Sequence, residues 1–221
     1  MQVLITRFFR DRKALQLLIE DKELTFRECP FIDFEYHPPR EIPQTEWIFF
    51  NSKNGIISLS DHFWTTLSSN YKIGVTGKGT AEKLQEKNIR PDFIGDTSKG
   101  TSDVGQHFFS THRPKSVWFP ISNRSNKTIQ KQALDKETII ETVSYTTILK
   151  ATKLQKDYDW YVFTSPSNVE SFFSENEIPE NASILAMGEQ TEKKLKLYTN
   201  KPVILPKESS EQGLFMFFYD L

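Results

Sequence analysis

The sequence has little that could support redox, metal or nucleotide chemistry. It contains one cysteine, Cys29, so it can form no internal disulfide, which fits a reducing cytoplasm. Its four histidines lack cysteine partners at the spacing of a zinc site. Gly74 and Gly79 are spaced like the first glycines of a phosphate loop, but Thr80 and Ala81 stand where such a loop needs Lys followed by Ser or Thr. We therefore expect no metal, nucleotide or other cofactor.

Charge and hydropathy exclude two further classes of partner. The net charge of −1 gives no bulk attraction to nucleic acid or to an anionic membrane. No apolar run approaches the roughly 18 residues that cross a bilayer. The apolar residues 2–5 pass directly into charged ones, which is not the pattern of a signal peptide. The sequence thus predicts a cytoplasmic protein, and a monomer is the default expectation.

What the sequence does contain is an internal duplication. Three pairs of similar segments recur in the same order at a nearly constant offset: 46–55 with 159–168, 77–84 with 188–195, and 3–6 with 117–120. The chain is long enough for two domains of about 100 residues each. A cleft between two such domains is a common place for a ligand.

Short apolar runs alternate with helical patterns along the whole sequence. This alternation predicts an α/β fold of two similar domains, each with a parallel sheet flanked by helices. The order of the repeats indicates that the first domain is discontinuous. We expect domain 1 to comprise 1–33 and 150–221, with domain 2, 34–149, inserted into it. The two crossings between them are predicted as a two-stranded β linker, about 31–38 and 144–151.

Capping patterns predict where several helices begin. Asn54 is expected to cap one helix, and the box Ser167-x-x-Glu170 to open another. Thr80 and Thr191 are each expected to open a helix after a glycine turn. The predicted helices that bear on the later comparison are 11–20, 55–64, 80–87, 127–134 and 191–198.

Polar residues follow the predicted strands where a parallel sheet binds its ligands. Segments 51–54 and 164–167 offer hydroxyl groups and free backbone N–H groups, and the glycine turns 77–80 and 188–191 offer close backbone approach, all of which suit an anion. Tyr145 lies on a predicted linker strand and could face the cleft. Plain helix capping, a packing role for Tyr145 and solvation of the basic residues remain open alternatives. The basic residues after strand ends are Arg7, Lys53, Lys78, Arg124 and Lys127.

Five segments together resemble the uroporphyrinogen-III synthase family. Residues 3–7 are similar to its opening strand, and 163–169 to its most recognisable segment. The turn 188–191 matches its Gly-x-x-Thr, 143–147 its Val-x-Tyr-x-Thr linker, and 119–124 its Phe/Leu-Pro-x-Gly-x segment. No single motif is diagnostic, but their order and spacing together are specific and span nearly the whole sequence.

The resemblance implies a cofactor-free lyase that cyclises hydroxymethylbilane to uroporphyrinogen III, a step of haem and porphyrin biosynthesis. Water leaves, the azafulvene is attacked through a spiro intermediate, and ring D is inverted. The same resemblance makes Tyr145 the candidate proton donor and implies a transient hand-off of substrate from hydroxymethylbilane synthase. The candidate substrate-binding residues are Thr6, Arg7, Ser52, Lys53, Thr80, Ser122, Arg124, Thr164, Ser165, Ser167 and Thr191.

The sequence also departs from the family pattern. The residues that differ from the common ones are Phe8, Asn51, Lys53, Ser122 and Glu192. Those at Asn51, Lys53 and Glu192 support a competing hypothesis, a non-catalytic two-lobed binder of a polyanionic small molecule. A sugar-nucleotide enzyme would show a nucleotide site, and the sequence shows none. A regulator fused to a DNA-binding module is not expected, because the resemblance takes up nearly all of the residues.

Overall fold

Parallel β-sheets flanked by helices make up the protein, in a computed structural model that describes residues 1–9, 12–67, 71–134 and 139–221. The expected α/β class with parallel sheets is confirmed. The chain divides into two units. Unit 1 consists of Met1–Asp33 with Ile148–Leu221, and unit 2 of Phe34–Thr147. No helix within the described ranges is both long and apolar enough to cross a membrane.

The elements alternate along the chain as strand and helix. The strands are β1 (Gln2–Ile5), β2 (Thr25–Glu28), β3 (Ile32–Tyr36), β4 (Trp47–Phe50), β5 (Lys72–Val75), β6 (Phe93–Ile94), β7 (Val117–Ser122), β8 (Ile139–Leu149), β9 (Trp160–Phe163), β10 (Ser183–Ala186) and β11 (Val203–Ile204). The α-helices are α1 (Arg12–Lys22), α2 (Lys53–Ile57), α3 (Asp61–Thr66), α4 (Lys78–Gln85), α5 (Thr101–His112), α6 (Pro166–Phe173), α7 (Glu189–Leu195) and α8 (Glu211–Tyr219).

Over its described residues, unit 1 has a sheet ordered β11-β10-β9-β1-β2, with every adjacent pair parallel. Strand β1 lies beside the central strand β9, and its apolar residues Val3, Leu4 and Ile5 are fully buried, as expected for a strand covered on both faces. Val3 and Ile5 pack with residues of α1 and α8, whereas Leu4 packs with residues of α6 and α7. The alternation along the strand thus feeds two hydrophobic clusters, one on each face.

The sheet of unit 2 is ordered β3-β8-β7-β4-β5-β6 over the described residues, and the pairs from β8 to β6 are parallel. Trp47 and Phe49 of β4 pack with residues of α5, whereas Ile48 and Phe50 pack with residues of α2, α3 and α4. The register between β7 and β8 shifts at Ser122. Strands β3 and β8 are the two in which the chain passes from one unit to the other.

Two predicted helix starts were wrong. The helix expected over 55–64 is two helices, and α2 is capped by Ser52 rather than by Asn54. The Ser52 backbone is extended at φ −156° and ψ 164°, and its side chain accepts a hydrogen bond from Gly55 N, as an N-cap requires. In the same way Ser165, not Ser167, caps α6, because Pro166 occupies the first helical position that proline favours.

Three further helix predictions needed correction. Gly77 and Gly188 are the N-caps of α4 and α7, so Thr80 and Thr191 lie in the first helical turn and do not open it. The segment 127–134 contains a short 3-10 helix, Gln130–Gln132, in place of the predicted α-helix. Lys127 has φ 53°, a left-handed conformation that interrupts an α-helix. The predicted start of the first helix at Asp11 lies outside the described residues.

Candidate functional site

Tyr145 of β8 lies against the start of α2 in unit 2. Its hydroxyl oxygen is 2.8 Å from Ser52 Oγ, within hydrogen-bond distance. Ser52 follows the buried strand β4 and accepts a hydrogen bond from Gly55 N at 3.4 Å. The side chain that the sequence analysis chose as proton donor is therefore joined to a residue chosen as a substrate contact.

The ring of Tyr145 is enclosed by other aromatic residues. It packs against Phe34 and Tyr36 of β3, with ring centroids 6.1 and 6.4 Å away, and is 7% exposed. The Tyr36 hydroxyl donates to Asn54 Oδ1 at 3.2 Å, so both tyrosines contact the first turn of α2. Burial raises the pKa of Tyr145 above its ordinary value, and the hydrogen bond with Ser52 acts in the opposite direction. The phenol is thus neutral and holds a proton that it can donate.

The backbone around Tyr145 is tied to the end of β7. Asn123 N donates to the Tyr145 carbonyl at 3.2 Å, and Thr147 N donates to Asn123 Oδ1 at 3.0 Å. Ser122 Oγ is 3.1 Å from Thr147 Oγ1 and accepts from Arg124 N at 3.1 Å. The hydroxyl of Ser122, a predicted substrate contact, is therefore already engaged by protein atoms, and this turn holds β8 in place around Tyr145.

Lys53 lies against the first turn of α4, which contains Thr80. A methyl group added at Gly79 would lie 3.1 Å from Lys53 Cε and 3.2 Å from its Nζ, so the ammonium group rests against that turn. Thr80 is buried as the third residue of α4. A helix N-terminus, a hydroxyl group and an ammonium group together favour the binding of a negatively charged group.

The departure at Asn51 has a structural explanation. Its Nδ2 donates to Gln130 Oε1 at 3.1 Å, and Gln130 is buried. Asn51 therefore fastens the 3-10 turn Gln130–Gln132 beside the end of β4. Sequence reasoning missed Gln130, because its contact depends on the fold of unit 2 and not on a local pattern.

In unit 1 the ends of β1 and β9 are joined through two threonines. Thr6 is fully buried, its Oγ1 accepts from Thr164 N at 3.0 Å, and the two hydroxyl oxygens are 3.3 Å apart. These predicted substrate contacts are therefore brought together. Their hydroxyl groups fix the strand ends.

Ser165 caps α6 and is saturated as an acceptor. Its Oγ accepts from Asn168 N at 3.3 Å and from Asn168 Nδ2 at 2.9 Å. Asn168 is itself buried and accepts from Phe31 N at 3.0 Å, which makes it a structural residue that the sequence analysis did not select. Ser167 is the second residue of α6 and is half-buried.

Not all of the predicted basic residues are available for a positive site. Arg7 forms an ion pair with Glu211 of α8 at 3.0 Å. Lys127, which was expected after a strand end, pairs with Glu141. Over the described part of the chain, no group of three or more His, Cys, Asp or Glu residues could hold a metal ion.

The parallel sheets place the predicted residues along one edge in each unit. In unit 2, β7 ends at Ser122, and the adjacent strands β4 and β5 are followed by Ser52 and by the turn before Thr80. In unit 1, the adjacent strands β1 and β9 are followed by Thr6 and by Ser165, and the next strand, β10, is followed by the turn before Thr191. Such strand ends, together with the helix starts that follow them, form the usual anion-binding edge of an open α/β sheet.

Comparisons with known proteins identify the family. A family model described as "Uroporphyrinogen-III synthase HemD" matches residues 13–216. The uroporphyrinogen-III synthetase structure from Helicobacter pylori is similar, with 18% identity, coverage of 99% of this chain and 98% of that one, and a TM-score of 0.71. A mutant uroporphyrinogen III synthase from Thermus thermophilus is similar in fold, with 15% identity, coverage of 100% and 97%, and a TM-score of 0.59. No curated protein sequence gave a significant match. The extent of the family match shows that the chain belongs to the uroporphyrinogen-III synthase family, whose members are enzymes of tetrapyrrole biosynthesis.

Proposed function

We propose that this protein converts hydroxymethylbilane to uroporphyrinogen III, a dehydrative cyclisation that inverts ring D and needs no cofactor. The observation that carries the proposal is the buried, neutral Tyr145, whose hydroxyl lies 2.8 Å from the side chain that caps α2. A neutral phenol beside a helix N-terminus, in a chain of this family, supports a role for Tyr145 as the proton donor.

The role of Tyr145 is to protonate the departing hydroxyl group. The C–O bond of the hydroxymethyl group breaks, the oxygen takes the phenol proton and leaves as water, and an azafulvenium cation remains. Ring D attacks through its substituted carbon, and the spiro intermediate rearranges. A proton is then lost from ring D, and the phenol can be reprotonated. No electrons are gained or lost, so the protein has to supply one proton and an orientation of the chain.

Binding is proposed to rely on helix N-termini more than on fixed cations. Hydroxymethylbilane carries eight carboxylates. The backbone N–H groups at the starts of α2, α4, α6 and α7 can each donate hydrogen bonds to one of them. Lys53 adds a charge at the start of α4. Thr6, Thr164 and Ser165 are proposed to shape the backbone, because their hydroxyl groups bond to protein atoms.

The remaining candidates complete the proposed contact set. Ser122, Arg124 and Thr80 are assigned to the edge of unit 2, and Arg7, Ser167 and Thr191 to the edge of unit 1. The proposal further has the protein act as a cytoplasmic monomer that takes hydroxymethylbilane directly after hydroxymethylbilane synthase has made it.

The test is an isomer assay. Hydroxymethylbilane closes spontaneously to uroporphyrinogen I, so isomer III in excess of isomer I measures catalysis. Purified protein is incubated with freshly generated hydroxymethylbilane, and the oxidised porphyrins are separated by chromatography. We expect isomer III to dominate with the native protein, and isomer I alone with heat-denatured protein. Isomer I alone from the native protein would refute the proposal.

A non-catalytic binder of a polyanion is the second candidate. The departures from the family pattern at Asn51, Lys53 and Glu192 favour it. The two candidates differ in one measurement. With a binder, titration with a stable linear tetrapyrrole would change the protein's intrinsic fluorescence, but the isomer assay would still yield only isomer I.

A further inference from the structure

The two copies of the duplicated segment use their capping serine differently. Ser52 in unit 2 and Ser165 in unit 1 occupy equivalent places, and each caps the helix that follows its strand. Ser165 Oγ accepts two hydrogen bonds, both from Asn168. The equivalent of Asn168 in the other copy is Gly55, which has no side chain and offers only its backbone N–H.

The lack of a side chain at position 55 leaves Ser52 available to another group. A methyl group at Gly55 would lie 3.0 Å from the Pro120 carbonyl oxygen, so the packing of β7 leaves no room for a residue like asparagine. Ser52 Oγ accepts from Gly55 N and keeps its own hydrogen and one further lone pair. The Tyr145 oxygen lies 2.8 Å away.

We propose that Ser52 is a positioning residue for Tyr145: it donates its hydroxyl hydrogen to the tyrosine oxygen, so that the phenol hydrogen points away from Ser52 and toward the substrate's departing hydroxyl group. This inference rests on the proposed function. It changes the expectation that Ser52 holds a substrate carboxylate with its side chain. Its backbone N–H and the start of α2 remain available for that purpose.

The direction of this hydrogen bond matters chemically. If Tyr145 donated to Ser52, its only proton would be occupied and would have to be released before catalysis. A hydrogen bond received from Ser52 instead stabilises the negative charge that develops on the phenol oxygen as the proton leaves. Such a bond opposes the effect of burial, which favours the protonated phenol.

A double-mutant cycle separates positioning from substrate binding. Kinetics of isomer III formation are measured for the native protein, Ser52→Ala, Tyr145→Phe and the double variant. We expect Ser52→Ala to lower kcat about tenfold with KM nearly unchanged. In the Tyr145→Phe background, the same change should alter kcat by less than about twofold. An equal loss in both backgrounds, or a rise in KM alone, would show that Ser52 acts on the substrate and would overturn the inference.

Two further variants control for the loss of a helix cap. Ser60 caps α3 in the same unit and accepts from Phe63 N at 3.3 Å, so Ser60→Ala should leave kcat within about twofold. Ser52→Thr keeps a hydroxyl group and a capping side chain, and it should recover most of the kcat lost in Ser52→Ala. Failure of the threonine to recover kcat, or an equal loss in Ser60→Ala, would count against the inference.

An NMR measurement tests the hydrogen bond between Ser52 and Tyr145 without an activity assay. The protein is labelled with tyrosine carrying ¹³C at Cζ, and the Tyr145 signal is assigned by its loss in Tyr145→Phe. We expect this signal to move in Ser52→Ala, to return toward its native position in Ser52→Thr, and to stay in place in Ser60→Ala. An unmoved signal in Ser52→Ala would overturn the hydrogen bond, whereas a native protein that forms no isomer III would refute the proposed function alone.

Discussion

At the scale of single residues, most hydroxyl groups of the site are already bonded to the protein. Thr6 and Thr164 bond to each other, Ser165 accepts twice from Asn168, and Ser122 accepts from Arg124 N. Tyr145 is different, because a capping side chain is its partner and its ring is held by aromatic neighbours. The proposed chemistry therefore depends on one phenol, whereas the other hydroxyl groups bond to protein atoms.

Tyr145→Phe removes the proton donor and keeps the packed ring. We expect kcat for isomer III to fall about 100-fold, the usual effect of losing a general acid, with little change in the thermal midpoint. Tyr36→Phe is the matched control, because Tyr36 belongs to the same aromatic group and its hydroxyl bonds to Asn54. The control should retain kcat within about threefold. Full activity of Tyr145→Phe in the isomer assay would remove Tyr145 from the mechanism.

Burial of tyrosines also predicts how stability depends on pH. Burial raises the pKa of Tyr145 and of Tyr161 above the ordinary value of about 10. The unfolded chain then loses these protons first as the pH rises. The stabilising effect is therefore complete below about pH 10 and is lost as the pH rises through the higher pKa of the folded state. Urea midpoints measured from pH 8 to 11 should fall above pH 10, and less steeply in Tyr145→Phe. Identical slopes in the two proteins would contradict the prediction.

At the scale of elements, the strands were predictable and the helix starts were not. Strands β1, β4 and β9 are continuous apolar runs because both faces of the sheets are covered. The helix starts were misplaced where two cap-forming residues lie close together. Ser52 precedes Asn54 and Ser165 precedes Ser167, and backbone angles set by the preceding strand decide between them.

The partner of Tyr145 lay beyond the reach of sequence patterns for a similar reason. Its contact with Ser52 joins β8 to the start of α2, two elements far apart in the chain. Periodicity predicts that each element exists, but not which side chains of different elements meet. The helix predicted over 127–134 failed for a local reason, the left-handed backbone at Lys127.

Gly79→Ala tests the first turn of α4. Alanine favours the helix over glycine, so the free energy of unfolding should rise by about 0.5 kcal/mol. The new methyl group meets only the flexible end of Lys53, which must move. If this ammonium group binds a substrate carboxylate, KM should rise about threefold or more while stability improves. Lys53→Met should raise KM without the gain in stability. An unchanged KM in both variants would exclude Lys53 from binding.

At the scale of the whole molecule, duplication has supplied two sheets of related order and two serine-capped helices. Strands β4 and β9, which belong to the duplicated segments, are both buried, and both lead into a serine cap. The copies differ at the residue three positions after the cap, Gly55 in one and Asn168 in the other. A shared framework thus gives one unit a phenol at its cap and the other a closed amide network.

The two units should also differ in their ability to fold alone. Unit 2 is a continuous segment whose two hydrophobic clusters lie entirely within it. Unit 1 needs both of its segments, because β1 lies between β9 and β2 and its buried residues belong to both clusters.

We expect the fragment 34–147 to unfold cooperatively in urea and to give dispersed NMR signals. The fragment 148–221 should do neither, because it lacks β1 and leaves one edge of β9 unpaired. Adding a peptide of residues 1–33 should restore cooperative unfolding to that second fragment. A fragment 148–221 that folds without the peptide would show that β1 is dispensable to the core of unit 1.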